Sequence, residues 1–166
     1  MCAFGCSTAR TRGSSSPDTM DSPNLSLISY DEPPAAVAAA IDEGLGQANE
    51  AAAPLHEVRP LACAARLGDG TIIGGAVGRT WGLCCELQQL WVHPAHRRRR
   101  LGTRLVREFE SAAKGRGCLT FYLETFNFQA PGLYAALGYE VAYEHAVYPH
   151  GIVRYCMVRK DDPRRL

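Results

Sequence analysis

The chain has 166 residues, with 18 Lys and Arg against 17 Asp and Glu, a net charge of +1. That length predicts one domain with a sizeable core, and the balanced charge supplies no general drive towards nucleic acid or acidic surfaces. No apolar run approaches the length that spans a bilayer, and seven cysteines, odd in number and without paired CxxC spacing, argue against a disulfide framework and a zinc site.

In chain order, residues 1–23 are expected to form a disordered tail. They lack the apolar core of a secretion signal, although the arginines and serines also fit a transit peptide and Met20 an alternative start. A domain over 24–160 follows, then a solvated tail over 161–166. Leu25–Tyr30 reads as a first strand, broken by Asp31-Glu32-Pro33-Pro34. Ala35 to about Ala53 is alanine-rich and helical, interrupted by Gly44 and Gly46, which either bend it or separate two short helices. His56–Leu67 is a strand, Gly68-Asp69-Gly70 a turn, and Thr71–Trp81 the hairpin partner, with Gly74 and Gly75 suggesting a bulge. Gly82 leads into a strand over Leu83–Val92, where Glu86, Gln88, Leu90 and Val92 alternate with Leu87, Gln89 and Trp91.

His93-Pro94 ends that strand, because proline cannot donate to a ladder. Leu101, Leu105, Val106, Phe109, Ala112 and Ala113 then recur at helical spacing, and Gly115 and Gly117 close a helix over Leu101–Lys114. Cys118–Thr125 is the next strand, so strand, helix and strand make a parallel βαβ unit. Pro131–Leu137 is a short helix, and Tyr139 to about Ala146 pairs antiparallel with Ile152–Arg159. The fold class is α/β, a mixed and mostly antiparallel sheet with one parallel pair. Cys63, Cys84, Cys85, Cys118 and Cys156 lie in the strand-like runs, where cysteine acts as a small hydrophobe, and a reducing, cytoplasmic setting fits.

The junction Arg97-Arg98-Arg99-Arg100-Leu101-Gly102-Thr103 carries the clearest chemistry. Four cations at a helix N-terminus oppose its dipole, a cost that makes sense where backbone N–H groups and guanidinium groups converge on an anion such as a diphosphate. A nuclear signal, a nucleic-acid patch or a plainly solvated helix start are the competing readings.

VHPAHRRRRLGTRL resembles the acyl-CoA-binding motif of the GNAT superfamily of N-acetyltransferases, Arg/Gln-x-x-Gly-x-Gly/Ala. The frame falls on Arg97, Arg100 and Gly102, with Arg100 standing where the family has its first glycine. NFQAPGLYAALGY, Asn127 to Tyr139, resembles the family's second motif, Asn-x-x-Ala-x-x-x-Tyr-x-x-x-Gly-Phe/Tyr. The resemblance runs from about Leu25 to about Lys160. It implies a GNAT fold, acetyl-CoA as acyl donor, and an amine acceptor, either a small molecule or a peptide; no metal is expected, because zinc-ligand spacing is lacking. No nucleic acid or membrane partner is implied, and a homodimer stays open. A module that binds acyl-CoA without catalysis is the rival, supported by Arg98 and Arg100 crowding the loop.

The resemblance also assigns places. Pyrophosphate falls to Arg97, Arg98, Arg99, Arg100, Leu101, Gly102 and Thr103. Pantetheine falls between Leu90, Trp91 and Val92 and the strand around Leu123–Thr125, with the thioester carbonyl on backbone N–H near Trp91 and Val92. Tyr134 becomes the general acid, with a packing tyrosine as the alternative. Asn127 binds the cofactor or a backbone group, or caps the next helix. Glu86 is the candidate base, a salt-bridged surface residue the alternative, and Glu124 the reserve. His93 and His96 read as loop residues, and Gly44 and Gly46 lie in a region that borders the acceptor site in relatives.

Overall fold

The computed structural model describes residues 25–162, so the expected tail over 1–23, Met20 included, and positions 163–166 of the tail expected over 161–166 lie outside the described residues. Asp161 is not solvated as expected but ion-paired to Lys114 (2.6 Å) and Arg159 (3.2 Å). The chain divides into two units, Met1–Asp42 and Glu43–Leu166. Within the first, Leu25–Tyr30 has no regular secondary structure, correcting the expected strand. Alternation gives a segment a face but no ladder partner, and Leu25, Leu27 and Ile28 are all exposed.

A single helix α1, Ala35–Ala52, continues through Gly44 and Gly46, correcting the expected separation into two short helices. Each glycine costs about 1 kcal/mol against alanine, and the alanines on either side, with no proline inside, keep the helix continuous. A 3-10 turn over Leu55–Glu57 follows, which moves the start of the next strand from His56 to Arg59.

The strands are β1 (Arg59–Arg66), β2 (Ile72–Trp81), β3 (Cys84–Val92), β4 (Thr120–Phe126), β5 (Glu140–His145) and β6 (Arg154–Lys160). They form one sheet in the order β1-β2-β3-β4-β6-β5. Only β3 and β4 run parallel, across the helix α2 (Leu101–Lys114). Pro60 is tolerated because β1 is an edge strand. The β1–β2 turn is held by Thr71 N–H donating to the Asp69 carboxylate (2.9 Å), with Gly70 at φ +87°. β5 is not the direct neighbour of β4: β6 pairs with both.

α2 buries Leu105, Val106, Phe109, Glu110 and Ala113 against the sheet. Glycine in β2 makes that approach feasible: a Cβ on Gly78 would lie 1.9 Å from the Glu86 carbonyl oxygen and 2.9 Å from Phe109 Cζ. The expected irregularity near Gly74 is present at Ala65/Arg66 opposite Ile72–Gly74, and a second falls at Val77/Gly78. There Val77 pairs with Gln89 and Gly78 with Leu87, leaving Gln88 as the extra residue. The bulge inverts the alternation of β3. Cys85 and Leu87 are in the core, and after Gln88 it is Leu90 that packs on it. Glu86 therefore does not share a face with Leu90, a correction to the simple alternation.

A buried polar network ties the layers together. Tyr139 donates to Glu110 (2.8 Å), and the Arg159 guanidinium donates to Glu110 (2.8 Å) and to the Leu137 carbonyl (3.3 Å). Burial and the Glu110 carboxylate push the Tyr139 hydroxyl far above its usual range.

Candidate active site

The β3–β4 ladder runs from Cys84/Thr120 to Leu87/Leu123 and stops. The bulge at Gln88 lies at that point, so the two strands diverge over Gln88–Val92 and Glu124–Phe126. The β4-facing backbone of Gln88–Val92 is left with no strand across from it. Between them opens a cleft of about 840 Å³, lined on one side by Gln88–Val92 and on the other by Glu124, Thr125 and Phe126. The short helix α3, Pro131–Ala135, adds Leu133 and Tyr134. Backbone N–H groups without a ladder partner at the edge of a parallel pair suit an amide-rich chain or a carbonyl oxygen.

At one end of this cleft sits the cationic loop. His93 Nδ1 accepts from Ala95 N–H (3.2 Å), and Arg97 Nε donates to the Val92 carbonyl (3.0 Å), folding that side chain back on the end of β3. Arg98 and Arg100 are left-handed, at φ +58° and +60°. Arg100 is the N-cap of α2, with no side-chain cap and no acidic residue in the first turn. The first-turn N–H groups therefore lack both usual partners, a carboxylate and a capping oxygen. The left-handed backbone gives the reason for the glycine that the resembled motif places there. Arg100 adopts the same conformation at a cost of about 1–2 kcal/mol. At Gly102 an added Cβ would meet Leu133 at 3.6 Å and Val92 at 3.9 Å, ordinary contacts that fit a Gly/Ala position. Arg97, Arg98, Arg99 and Arg100 are exposed, while Leu101, Gly102 and Thr103 are half-buried.

Tyr134 is 7% exposed, and its ring meets Tyr139 edge-on at 6.0 Å. It lines the cleft, and among the described residues no hydrogen bond engages its hydroxyl. Burial raises its pKa, so the phenol keeps its proton at neutral pH. Glu86 lies outside the cleft lining, ion-paired to Arg79 (2.5 Å) and hydrogen-bonded by Gln88 (3.3 Å). Glu124 lines the cleft, is exposed, and faces Arg154 at 3.4 Å. Register places Glu86 beside Tyr122, which shares a face with Glu124 two residues on.

The Asn127 side chain is turned to the loop before β6. Its amide nitrogen donates to the Gly151 carbonyl (2.9 Å), and its oxygen accepts from Val153 N–H (3.3 Å). It does not line the cleft, and the cap of α3 is Ala130 without a side-chain bond, so Asn127 is not that helix's cap. Sequence reading missed Arg154, Phe128 and Gln129 in the lining. Gln129 accepts from Phe126 N–H (2.9 Å) and pairs with the Thr125 hydroxyl (3.1 Å), bracing that wall. Arg154 carries no motif and enters only because β6 pairs with β4. Among the described residues no group of three His, Cys, Asp or Glu is placed to hold a metal ion, and no helix is long and apolar enough to cross a membrane.

The sequence profile of the Acetyltransferase (GNAT) family matches residues 29–139. Blasticidin-S acetyltransferase of Streptomyces morookaense is 36% identical over 114 residues, 64% of this chain and 82% of that protein. An acetyltransferase structure from Bacillus cereus superposes with a TM-score of 0.68 at 23% identity, over 80% of this chain and 97% of that one. The ribosomal-protein-S18-alanine N-acetyltransferase of Escherichia coli gives 0.55 at 23% identity, over 61% and 69%. At such identities the two structural likenesses speak for the fold alone.

Proposed function

The chain belongs to the Acetyltransferase (GNAT) family, and on that premise we propose that it transfers the acetyl group of acetyl-CoA to a primary amine of a small molecule. The observation that carries this reading is the position of Tyr134. Tyr134 lines the cleft between the diverging strands, and one end of that cleft is the uncapped cationic start of α2. The relative named for acetylating blasticidin S supports a small-molecule acceptor.

In this reading the pyrophosphate rests on the Arg97–Thr103 backbone, and the pantetheine amides run along the open edge of Leu90–Val92. The thioester carbonyl meets an N–H near Trp91 or Val92, a donor already aimed at the oxygen on which charge develops. The amine nitrogen forms the new C–N bond, the C–S bond breaks, and the CoA thiolate takes the Tyr134 proton; the nitrogen's second proton returns to the tyrosinate as the amide forms. The raised pKa keeps that proton in place before transfer, at some cost in acid strength. Glu124 takes the ammonium proton, since it is the carboxylate in the cleft lining. Glu86 serves only through water, because it lies outside that lining.

Against a module without catalysis, left-handed Arg100 keeps the backbone path that a glycine would give, which supports a working loop. The testing experiment is thiol release from acetyl-CoA over a panel of small amines and N-terminal peptides. Turnover on small amines is expected. Turnover confined to peptides overturns the acceptor class, and none at all overturns the reading.

A further inference from the structure

The cleft wall formed by β4 and β6 holds an arrangement that acetyl transfer alone does not require. Glu124 and Arg154 are diagonal neighbours across these strands: Glu124 pairs with Cys156, and Arg154 with Phe126. Their side chains approach to only 3.4 Å, and both are partly open to solvent. Arg154 Nε is buried with no acceptor. The buried Nε faces away from any ligand, but the partly exposed terminal nitrogens hold Glu124 only loosely and can take an acceptor from the cleft side. Arg97, the other cation in the lining, gives its Nε to the Val92 carbonyl at the loop end. Among the described residues the lining thus carries two cations and one carboxylate, which disfavours a polycationic acceptor.

We propose that Arg154 binds a carboxylate of the acceptor, so that the substrate class is an amine carrying a carboxylate a few bonds away, as in an α- or β-amino acid group. The inference rests on the transferase reading above and names the acceptor within it. An anion and a cation 3.4 Å apart on the wall are the complement of a zwitterion of similar span. On binding, the acceptor's carboxylate replaces Glu124 on the guanidinium, and its ammonium faces the freed Glu124. One internal ion pair is exchanged for two ligand contacts, and the carboxylate that must take the proton is left beside the nitrogen that gives it. Phe128, 65% exposed and stacked on Phe126 at 5.2 Å, offers a flat apolar surface beside this pair for the rest of the molecule.

The test pairs α- and β-amino acids with their own amides as acceptors, compared at equal concentrations of free amine. It uses the full chain and acetyl-CoA, with thiol release as the readout. The expected kcat/KM preference for the carboxylate is on the order of 10–100-fold, the size of lost charge-assisted hydrogen bonds. In Arg154→Gln the preference falls towards one, and Arg154→Lys restores part of it. Because each protein's preference is a ratio, a general loss of activity does not imitate the result. Acid and amide used equally by the unaltered chain would overturn the inference and leave the transferase reading intact. A preference that survives in Arg154→Gln would also overturn it, by placing recognition elsewhere. No turnover of any amine would remove the transferase reading and this inference with it.

Discussion

Replacing Arg100 by glycine separates two properties that this residue combines. Its backbone is left-handed, at φ +60° and ψ +14°. A residue with a Cβ gives up about 1–2 kcal/mol there, whereas glycine pays none of that cost. Glycine's looser unfolded chain returns about 0.5–1 kcal/mol of the gain, so Arg100→Gly should be neutral or stabilising by up to about 1.5 kcal/mol. For a chain of this size that is a rise in Tm of roughly 0–5 °C. Affinity for acetyl-CoA should move the other way. If the guanidinium holds a phosphate, losing it costs about 1.5–3 kcal/mol, or roughly 10–150-fold in Kd. Thermal melts without ligand and titration calorimetry with acetyl-CoA read the two effects separately. A Kd equal to or tighter than the parent's would refute the guanidinium as a phosphate ligand. A clear fall in Tm would refute the strain.

Acetyl-CoA affinity should weaken steeply with added salt, because four exposed arginines lie in the loop proposed to hold the phosphates; equal affinity at low and high salt would move the phosphates elsewhere. Gly78→Ala should destabilise by roughly 3 kcal/mol or more, since its Cβ would fall 1.9 Å from the Glu86 carbonyl oxygen. A denaturation midpoint close to the parent's would show that β2 can shift away from β3. Stability should also decline at alkaline pH. Burial pushes the Cys85 thiol up to about 12, while an unfolded thiol ionises near pH 8.5. The folded pKa is the higher one, so this contribution is complete below about pH 8.5 and is lost between there and about pH 12. Melts of Cys85→Ala over that range should show a shallower decline than the parent, and an identical slope would assign the loss to other groups.

The fold was legible wherever local chemistry coincided with tertiary need. Turn glycines, the helical stripe of α2 and the proline after β3 all act within a few residues, and α2 occupies the expected Leu101–Lys114. Leu25–Tyr30 misled because alternation reports a face and says nothing of a ladder partner. The glycines of α1 misled because their cost is small beside a long alanine-rich helix. Within the site, the loop and Tyr134 were visible through their motifs. The Gln88 bulge was not, because a bulge is set by pairing with β2, and it reversed which residues of β3 face α2. Arg154 was invisible for a related reason: β6 meets β4 only once the sheet order is known. Glu110, polar within an apolar stripe, gave no sign of the Tyr139 and Arg159 partners that satisfy it.

Tyr134→Phe bears most directly on acetyl transfer in the cleft between β3 and β4. The change removes one oxygen from a buried ring and leaves its packing against Tyr139 in place. Single-turnover rates of acetyl-CoA thiol release with a competent amine, alongside the acetyl-CoA Kd, are the measurement. The account predicts a rate lower by roughly 10²–10⁴-fold with Kd almost unchanged, the pattern of a lost general acid. A rate within about threefold of the parent's, in a variant that folds and binds acetyl-CoA normally, would contradict it and leave water or the substrate's own ammonium as the proton source.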